Sequence, residues 1–317
     1  MRISVILPTY GREMQIREAL DSILAQSRPA DEIIVVDDGS PGDLAAALAP
    51  YGNRIILKRQ ENTGVAAARN RGIALSSGDW LTFLDSDDLW PPNRLAVLER
   101  DLDTAQPDIV AHLGNVRYTG ENHDESLFAI KGITFPAGRA ERVSDPLPLV
   151  ISGMTLQGAA IRRTAFAAAG RFDETMRMLS DTAFFCQLAL KGPFLVTGDM
   201  LAEIRRLPGD RQAVTSLRRT KGSYAQKMHV HFLEKLLARP LTRDQERLVS
   251  RRLSGACFLL ARELSQDDRT TALHMLGKSA RMHPLPLLGW LKAAIAAGLG
   301  QTGYRLLLAR HDMLDRS

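Results

Sequence analysis

Two patterns alternate along the first 200 residues: short apolar runs of strand length, and stretches with the helical period. Residues 2–7 are the first apolar run, and Pro8 stops it. Over 14–26, Ile16, Leu20, Ile23 and Leu24 fall on one helical face. Residues 32–36 are almost continuously apolar, as in a strand buried on both faces of a parallel sheet, and end in the turn Asp37-Asp38-Gly39-Ser40. Residues 43–49 predict a short helix and 54–58 a third strand. Asn62-Thr63-Gly64 then leads into an Ala-rich helix ending near Leu75. Residues 80–84 are a fourth strand, 91–105 a helix with proline in its first turn, and 109–113 a fifth strand.

The periodicity fades over 114–150, where Gly and Pro interrupt mixed polarity. It returns at 154–163 as a strand followed by a helix. A further helix covers 181–190, with Phe184, Phe185, Leu188 and Ala189 towards a core, and a strand covers 194–196. From about Ser216 the pattern is helical. The alternation predicts an α/β fold with a mostly parallel, Rossmann-like sheet flanked by helices, followed by an α-helical C-terminal region. The expected boundaries are 1–212 and 213–317.

In such sheets ligands bind beyond the carboxyl ends of strands. Three polar clusters stand there: Thr9-Tyr10, Asp37-Asp38 and Asp85-Ser86-Asp87, the last followed by Asp88. Crowded carboxylates repel one another unless a cation or a set of donors compensates them. In extended backbone Asp85 and Asp87 point to the same side. That suits a hard divalent ion completed by phosphate oxygens and water. A solvated acidic turn is the alternative for any such motif alone.

Charge adds a second division. Residues 1–200 carry 20 Lys+Arg against 26 Asp+Glu, a net of −6; residues 201–317 carry 21 against 10, a net of +11; the whole is +5. The basic part points to an anionic partner such as a phospholipid surface or a lipid-linked phosphate. It lacks an aromatic-bearing recognition motif, which argues against nucleic acid. Cys186 and Cys257 are far apart in apolar surroundings and read as buried thiols. The opening residues are strand-like, without signal-peptide character, and no run reaches the roughly 18 apolar residues of a membrane span. A cytoplasmic protein is expected. There is no GxxxxGK[ST], dinucleotide fingerprint, GxSxG or HExxH.

Five segments together resemble glycosyltransferase family 2, with the GT-A fold, across about 1–200. They are Ser4 through Tyr10, Glu32 through Ser40, Asn62 through Asn70, Gly78 through Trp90, and Gly170 through Glu174. The resemblance implies an inverting transferase that moves a sugar, of hexosyl type, from a nucleotide-sugar to a glycan or lipid-linked acceptor. It implies that Pro8, Thr9 and Tyr10 flank the nucleoside and that Asp38 accepts a hydrogen bond from the base, typically uracil. It also implies that Asp85 and Ser86 lie by the sugar and ribose, that Asp87 meets Mn²⁺ or Mg²⁺ on the diphosphate, and that Asp181 is the catalytic base. A packing role for Tyr10 and a helix-capping role for Asp181 are the alternatives. Gly11 stands where the family commonly has Asn, and Ser180 where many members have a second acid. Arg205, Arg206 and Arg211, around Pro208-Gly209, read either as a diphosphate clamp or as a basic linker.

Two other readings compete. One is a nucleotidyltransferase, whose Gly-rich, Lys-containing loop is missing; the other is a non-catalytic nucleotide-sugar or glycan-binding protein. Beyond Leu285, apolar residues with Lys292, Arg305 and Arg310 suit an interface with anionic lipid. The expectation is therefore a cytoplasmic enzyme held peripherally at the membrane's inner face.

Overall fold

The computed structural model describes residues 1–120, 123–206, 223–264 and 268–282. The chain divides into two compact units, Met1–Arg211 and Gln212–Ser317.

The first unit is built on one sheet. β1 (Ile3–Thr9) is buried along its whole length. It pairs in parallel with β2 (Glu32–Asp37) and β4 (Trp80–Phe83), and β3 (Ile56–Arg59) extends β2, also in parallel. The continuous apolar runs of β1 and β2 follow from this interior position, where nearly every residue of both strands is buried. α1 (Glu13–Leu24) buries Ile16, Ala19, Leu20 and Ile23, one stripe at helical spacing. α2 (Leu44–Leu48) is short and capped by the Asp43 carboxylate, which accepts from the Ala46 amide at 3.0 Å. α3 (Val65–Leu75) is unusual in burying Arg69 and Asn70 along with its alanines. α4 (Arg94–Asp103) follows β4.

Beyond β4 the sheet becomes mixed. Its order is β3-β2-β1-β4-β8-β5-β9-β7, with β6 pairing β5. β5 (Ala111–Gly120) and β9 (Phe194–Arg206) run parallel to each other, and β8 (Ala159–Arg162) is antiparallel to β4 and β5. The mostly parallel expectation therefore holds for the β3-β2-β1-β4 half, and antiparallel pairs enter with β6 (His123–Ser126), β7 (Ala140–Val143) and β8. β5 and β9 are much longer than their apolar cores at 109–113 and 194–196 predict. The ladder continues through a bulge at Asn115 into polar sequence, where period-2 alternation is lost. The segment without clear periodicity also holds α5 (Leu127–Lys131) and α6 (Leu147–Val150).

α7 (Arg163–Ala169) and α8 (Ser180–Ala189) close this half. Phe166, Phe172 and Phe184 form a ring cluster, with centroids 4.6 Å apart for Phe172–Phe184 and 5.0 Å for Phe166–Phe184. Phe83 of β4 meets Phe172 edge-on at 5.8 Å. Each such pair adds about 0.5–1.5 kcal/mol beyond its buried area. The cluster fixes α8 to the sheet. Cys186 is buried inside α8, and burial pushes its thiol up to about 12.

The second unit contains α9 (Tyr224–Leu237), α10 (Arg243–Leu264) and α11 (Arg269–Met282). α10 buries Val249, Leu253, Ala256, Cys257, Leu260 and Leu264, again a helical stripe. Ser254 and Ser279 join α10 to α11 through a buried hydroxyl pair at 2.9 Å. No helix among the described residues is long and apolar enough to cross a membrane. The segment beyond Leu285 and the Pro208-Gly209-Arg211 stretch lie outside the described residues.

Candidate active site

The ends of β1, β2 and β4 are neighbours because β1 pairs with both partners. Thr9 lies opposite Asp37, and Ile6 opposite Phe83. Pro8 and Thr9 are buried, while Tyr10, one residue further, is 42% exposed. Thr9 Oγ1 is buried without a hydrogen-bond partner. Gly11 adopts φ +61°, so the chain turns sharply into α1. Glycine adopts this left-handed conformation without strain.

Asp37 and Asp38 divide their work. Asp37 is buried and caps its own turn, accepting from the Ser40 amide at 2.8 Å, with Arg59 at 3.2 Å. The turn depends on Gly39, where a Cβ would sit 2.9 Å from the Asn62 nitrogen. Asp38 reaches across to the segment before α3. Its carboxylate accepts from the Gln60 side chain (2.8 Å) and from the amides of Thr63 (3.0 Å) and Gly64 (2.8 Å). A carboxylate offers about four lone-pair sites, so one remains.

Just beyond β4, every carboxylate meets a donor. Asp85 takes Arg69 Nη2 at 2.7 Å and Gln157 Nε2 at 2.8 Å. Asp87 pairs with Arg12 at 2.5 Å. Asp88 is buried and accepts from Gln157 at 3.0 Å and from the Arg205 amide at 3.0 Å. Burial, with the charges of Asp85 and Asp87, holds the Asp88 carboxyl well above the usual carboxylate range; the Arg205 and Gln157 donors oppose this. Ser86 is buried within the same turn. Arg205 Nε donates to the Asp87 carbonyl at 2.6 Å, and its guanidinium also pairs with Glu18 of α1. Arg205 thus ties β9 to this turn, and Leu89 bridges to Glu203 beside it. Arg206 lies over the Tyr118 ring at 5.1 Å.

Asp181 enters from α8. Its carboxylate accepts from the Thr182 amide at 2.8 Å. The surrounding protein desolvates it and raises its pKa; the charge of Arg69 and the Thr182 amide pull it back, and Asp85 adds to the rise. Arg69 therefore stands in the field of both Asp85 and Asp181. Leu179, just before α8, has φ +62°, and is the single non-glycine residue with positive φ among the described residues. Strain of this kind costs on the order of 1–3 kcal/mol and is retained only where the surroundings enforce it. Nearby, the Phe cluster packs α8, and Asn70 holds the Phe172 segment, donating to the Phe172 carbonyl (2.9 Å) and accepting from its amide (3.1 Å).

The structure thus gathers Asp85, Asp87 and Asp181 with groups that spacing did not single out: Arg12, Arg69, Gln157, Asp88 and Tyr118. Asp88 was visible in the same acidic run, and a buried Arg69-Asn70 pair is detectable as polar residues on the inner face of an Ala-rich helix. Gln157 and Tyr118 carried no signal. No group of three or more His, Cys, Asp or Glu side chains converges as a preformed metal cage among the described residues. The donor set nonetheless fits a hard divalent ion that uses one or two carboxylates and completes its shell with phosphate and water. A separate cleft of about 400 Å³, lined by Arg100, Asp101 and Arg142, lies near the start of β5, whereas Tyr118 lies near its end.

Comparison with known proteins gives a consistent picture. Residues 4–169 match the family described as Glycosyl transferase family 2. Glycosyltransferase GlyA of Streptococcus pneumoniae serotype 4 is 38% identical over 130 residues, 40% of this chain and 18% of that protein. Succinoglycan biosynthesis protein ExoW of Rhizobium meliloti is 27% identical over 232 residues, 64% of this chain and 68% of that protein. GlyA and the related GlyG are thus matched over less than half of their own lengths. Among solved structures, S. aureus TarS 1–349 with UDP-GlcNAc superposes with TM-score 0.67 at 20% identity, over 90% of this chain and 82% of that one. The mannosyltransferase PcManGT from Pyrobaculum calidifontis, with GDP-Man and Mn²⁺, gives 0.54 at 20% identity, over 96% and 82%. These two likenesses establish the GT-A-like fold.

Proposed function

The chain belongs to glycosyl transferase family 2, and from that premise we propose that it transfers a sugar from a UDP-sugar to a hydroxyl of a glycan or lipid-linked acceptor. The product is a cell-surface polysaccharide, in keeping with the succinoglycan relative. The observation that carries the reading is that Arg69 pairs with Asp85 and stands in the field of Asp181, whose pKa burial raises, while Asp87 two residues on is held by Arg12.

Each residue then has a task. Tyr10, exposed at the end of β1, stacks on the base, and Pro8 and Thr9 form the floor beneath it. The remaining acceptor site of Asp38 receives the imide N–H of uracil. Asp85, held by Arg69 and Gln157, faces the ribose and the sugar, and Ser86 shapes that turn. Asp87 would hold Mn²⁺ or Mg²⁺, with the donor's diphosphate supplying further oxygens. Such an ion, when bound, neutralises charge on the leaving diphosphate. Asp181 takes the acceptor's hydroxyl proton, and its raised pKa brings it nearer the working pH. The acceptor oxygen bonds to the anomeric carbon as the bond to the diphosphate oxygen breaks, and one such displacement inverts that carbon. The basic second unit, with its excess of Lys and Arg, is read as the side that meets a lipid-linked acceptor at the cytoplasmic face of the membrane.

Incubation with a panel of nucleotide-sugars and Mn²⁺, with and without EDTA, tests the reading. Transfer or slow hydrolysis of one UDP-sugar, lost in EDTA, is expected. Full activity in EDTA would remove the metal from the reading, and turnover of no nucleotide-sugar would leave a binding protein.

A further inference from the structure

The acidic turn beyond β4 is neutralised by arginines in separate pairs. Arg69 serves Asp85, and Arg205 serves Glu18 and the Asp87 carbonyl. Arg12 serves the Asp87 carboxylate, at 2.5 Å, with both side chains only 15% exposed. Arg12 is held for this task by the chain around it. The Gly11 amide donates to Ser40 Oγ at 2.9 Å, and the Arg12 carbonyl accepts the Ile16 amide at 3.0 Å, opening α1. The backbone is thus anchored on both sides of the Arg12 side chain.

We propose that Arg12 is a stand-in counter-cation, which gives up Asp87 to the divalent ion and moves to the donor's diphosphate. The inference rests on the assignment of Asp87 under the proposed function. Its logic is charge balance. A divalent ion alone must displace a guanidinium that is already paired, and then lie beside it, so like charges oppose the ion's entry. A nucleoside diphosphate changes this, because it brings acceptors for both cations. The planar fork of arginine suits phosphate oxygens, so Arg12 exchanges one anionic partner for another without losing its compensation. Free ion is therefore bound weakly, and ion and nucleotide enter together. The coupling is reciprocal: the nucleotide tightens the ion by the factor by which the ion tightens the nucleotide.

The test is Mn²⁺ titration of the full chain, with free ion read by electron paramagnetic resonance, in the absence of nucleotide and with UDP or GDP. In the wild type, one nucleotide should tighten Mn²⁺ by at least about tenfold, within the range of ordinary coupled sites. Arg12→Met should bind Mn²⁺ alone about tenfold more tightly than wild type, and its gain from nucleotide should shrink to roughly a few-fold. Arg12→Lys, which keeps the charge but not the fork, should bind Mn²⁺ alone as weakly as wild type. If Arg12→Met does not fold, Arg12→Gln supplies the same comparison. Mn²⁺ affinity without nucleotide that is unchanged or weaker in the neutral variant overturns the exchange. Failure of the underlying reading looks different: wild type then binds no Mn²⁺ with either nucleotide, or Asp87→Asn binds it as well as wild type.

Discussion

β1 and β5 are both interior strands of one sheet, yet they serve the crevice differently. β1 is buried from Ile3 to Thr9 and stops where the core stops. β5 is buried only through Val116, then runs on with β9 into half-exposed positions. On the β1 side, with β2 and β4, the site consists of turns anchored at strand ends: Thr9-Tyr10, Asp38 and Asp85 through Asp88. On the β5 side, strands and helices reach over: Tyr118, Arg205 and Arg206 from β5 and β9, Gln157 from the turn before β8, and Asp181 from α8. On the proposed function, the strand ends would hold the donor and the overreaching elements would carry the transfer. Donor affinity and transfer rate should therefore separate by side.

The largest effect is expected at Asp87. Asp87→Ala should lower transfer by about a thousandfold or more, since a bound metal contributes several kcal/mol. Calorimetry should show nucleotide-sugar affinity in Mn²⁺ falling as well, because Asp87 stands on the donor side. Lost rate with full affinity would break the division.

Asp38→Ala comes next. Its three protein donors lose their acceptor, which destabilises the 60–64 segment by roughly 1–3 kcal/mol. UDP affinity should fall about tenfold, the equivalent of 1.4 kcal/mol, while the rate at saturating donor stays within a few-fold. Thermal unfolding and UDP titration check the two parts, and unchanged affinity would move the base away from Asp38.

Asn70→Ala sharpens the other side. It releases the Phe172 segment that holds α8. A loss of roughly 1–3 kcal/mol in stability is expected, with a several-fold lower rate at unchanged donor affinity. A weaker donor and an unaltered rate would place Asn70 with β1 instead.

The same division explains how much could be read from the chain. β1, β2 and β4 are buried on both faces, so their sequences are continuous apolar runs that announce both strand and end. Asp38, Asp85, Asp87 and Tyr10 were legible because they follow such runs. β3 and the apolar starts of β5 and β9 were legible as strands too, but β6, β7 and the far ends of β5 and β9 were not. The outer parts of β5 and β9 are polar and bulged, and their pairing joins residues about 80 positions apart, from Ala111↔Phe194 onward. Tyr118 and Gln157 acquire meaning only from that pairing. Arg69 and Asn70 are polar residues buried in an Ala-rich helix, and their partners lie on other elements. Asp181 was legible by resemblance, but its strained entry at Leu179 was not, since a positive φ leaves no mark on a leucine.

The most direct test is Asp181→Asn, measured for donor affinity by calorimetry and for transfer across pH. A base must be ionised, so the wild-type rate should fall as pH drops through the raised pKa of Asp181, above the ordinary value of about 3.9. The sign for stability is opposite. A carboxyl raised in the fold costs stability once ionised, so the Asn variant should be at least as stable as wild type at pH 7. The account predicts a rate lower by about 10²–10⁴, no acid limb, and donor affinity within a few-fold. Affinity lost together with rate, or an acid limb that survives the substitution, would contradict it.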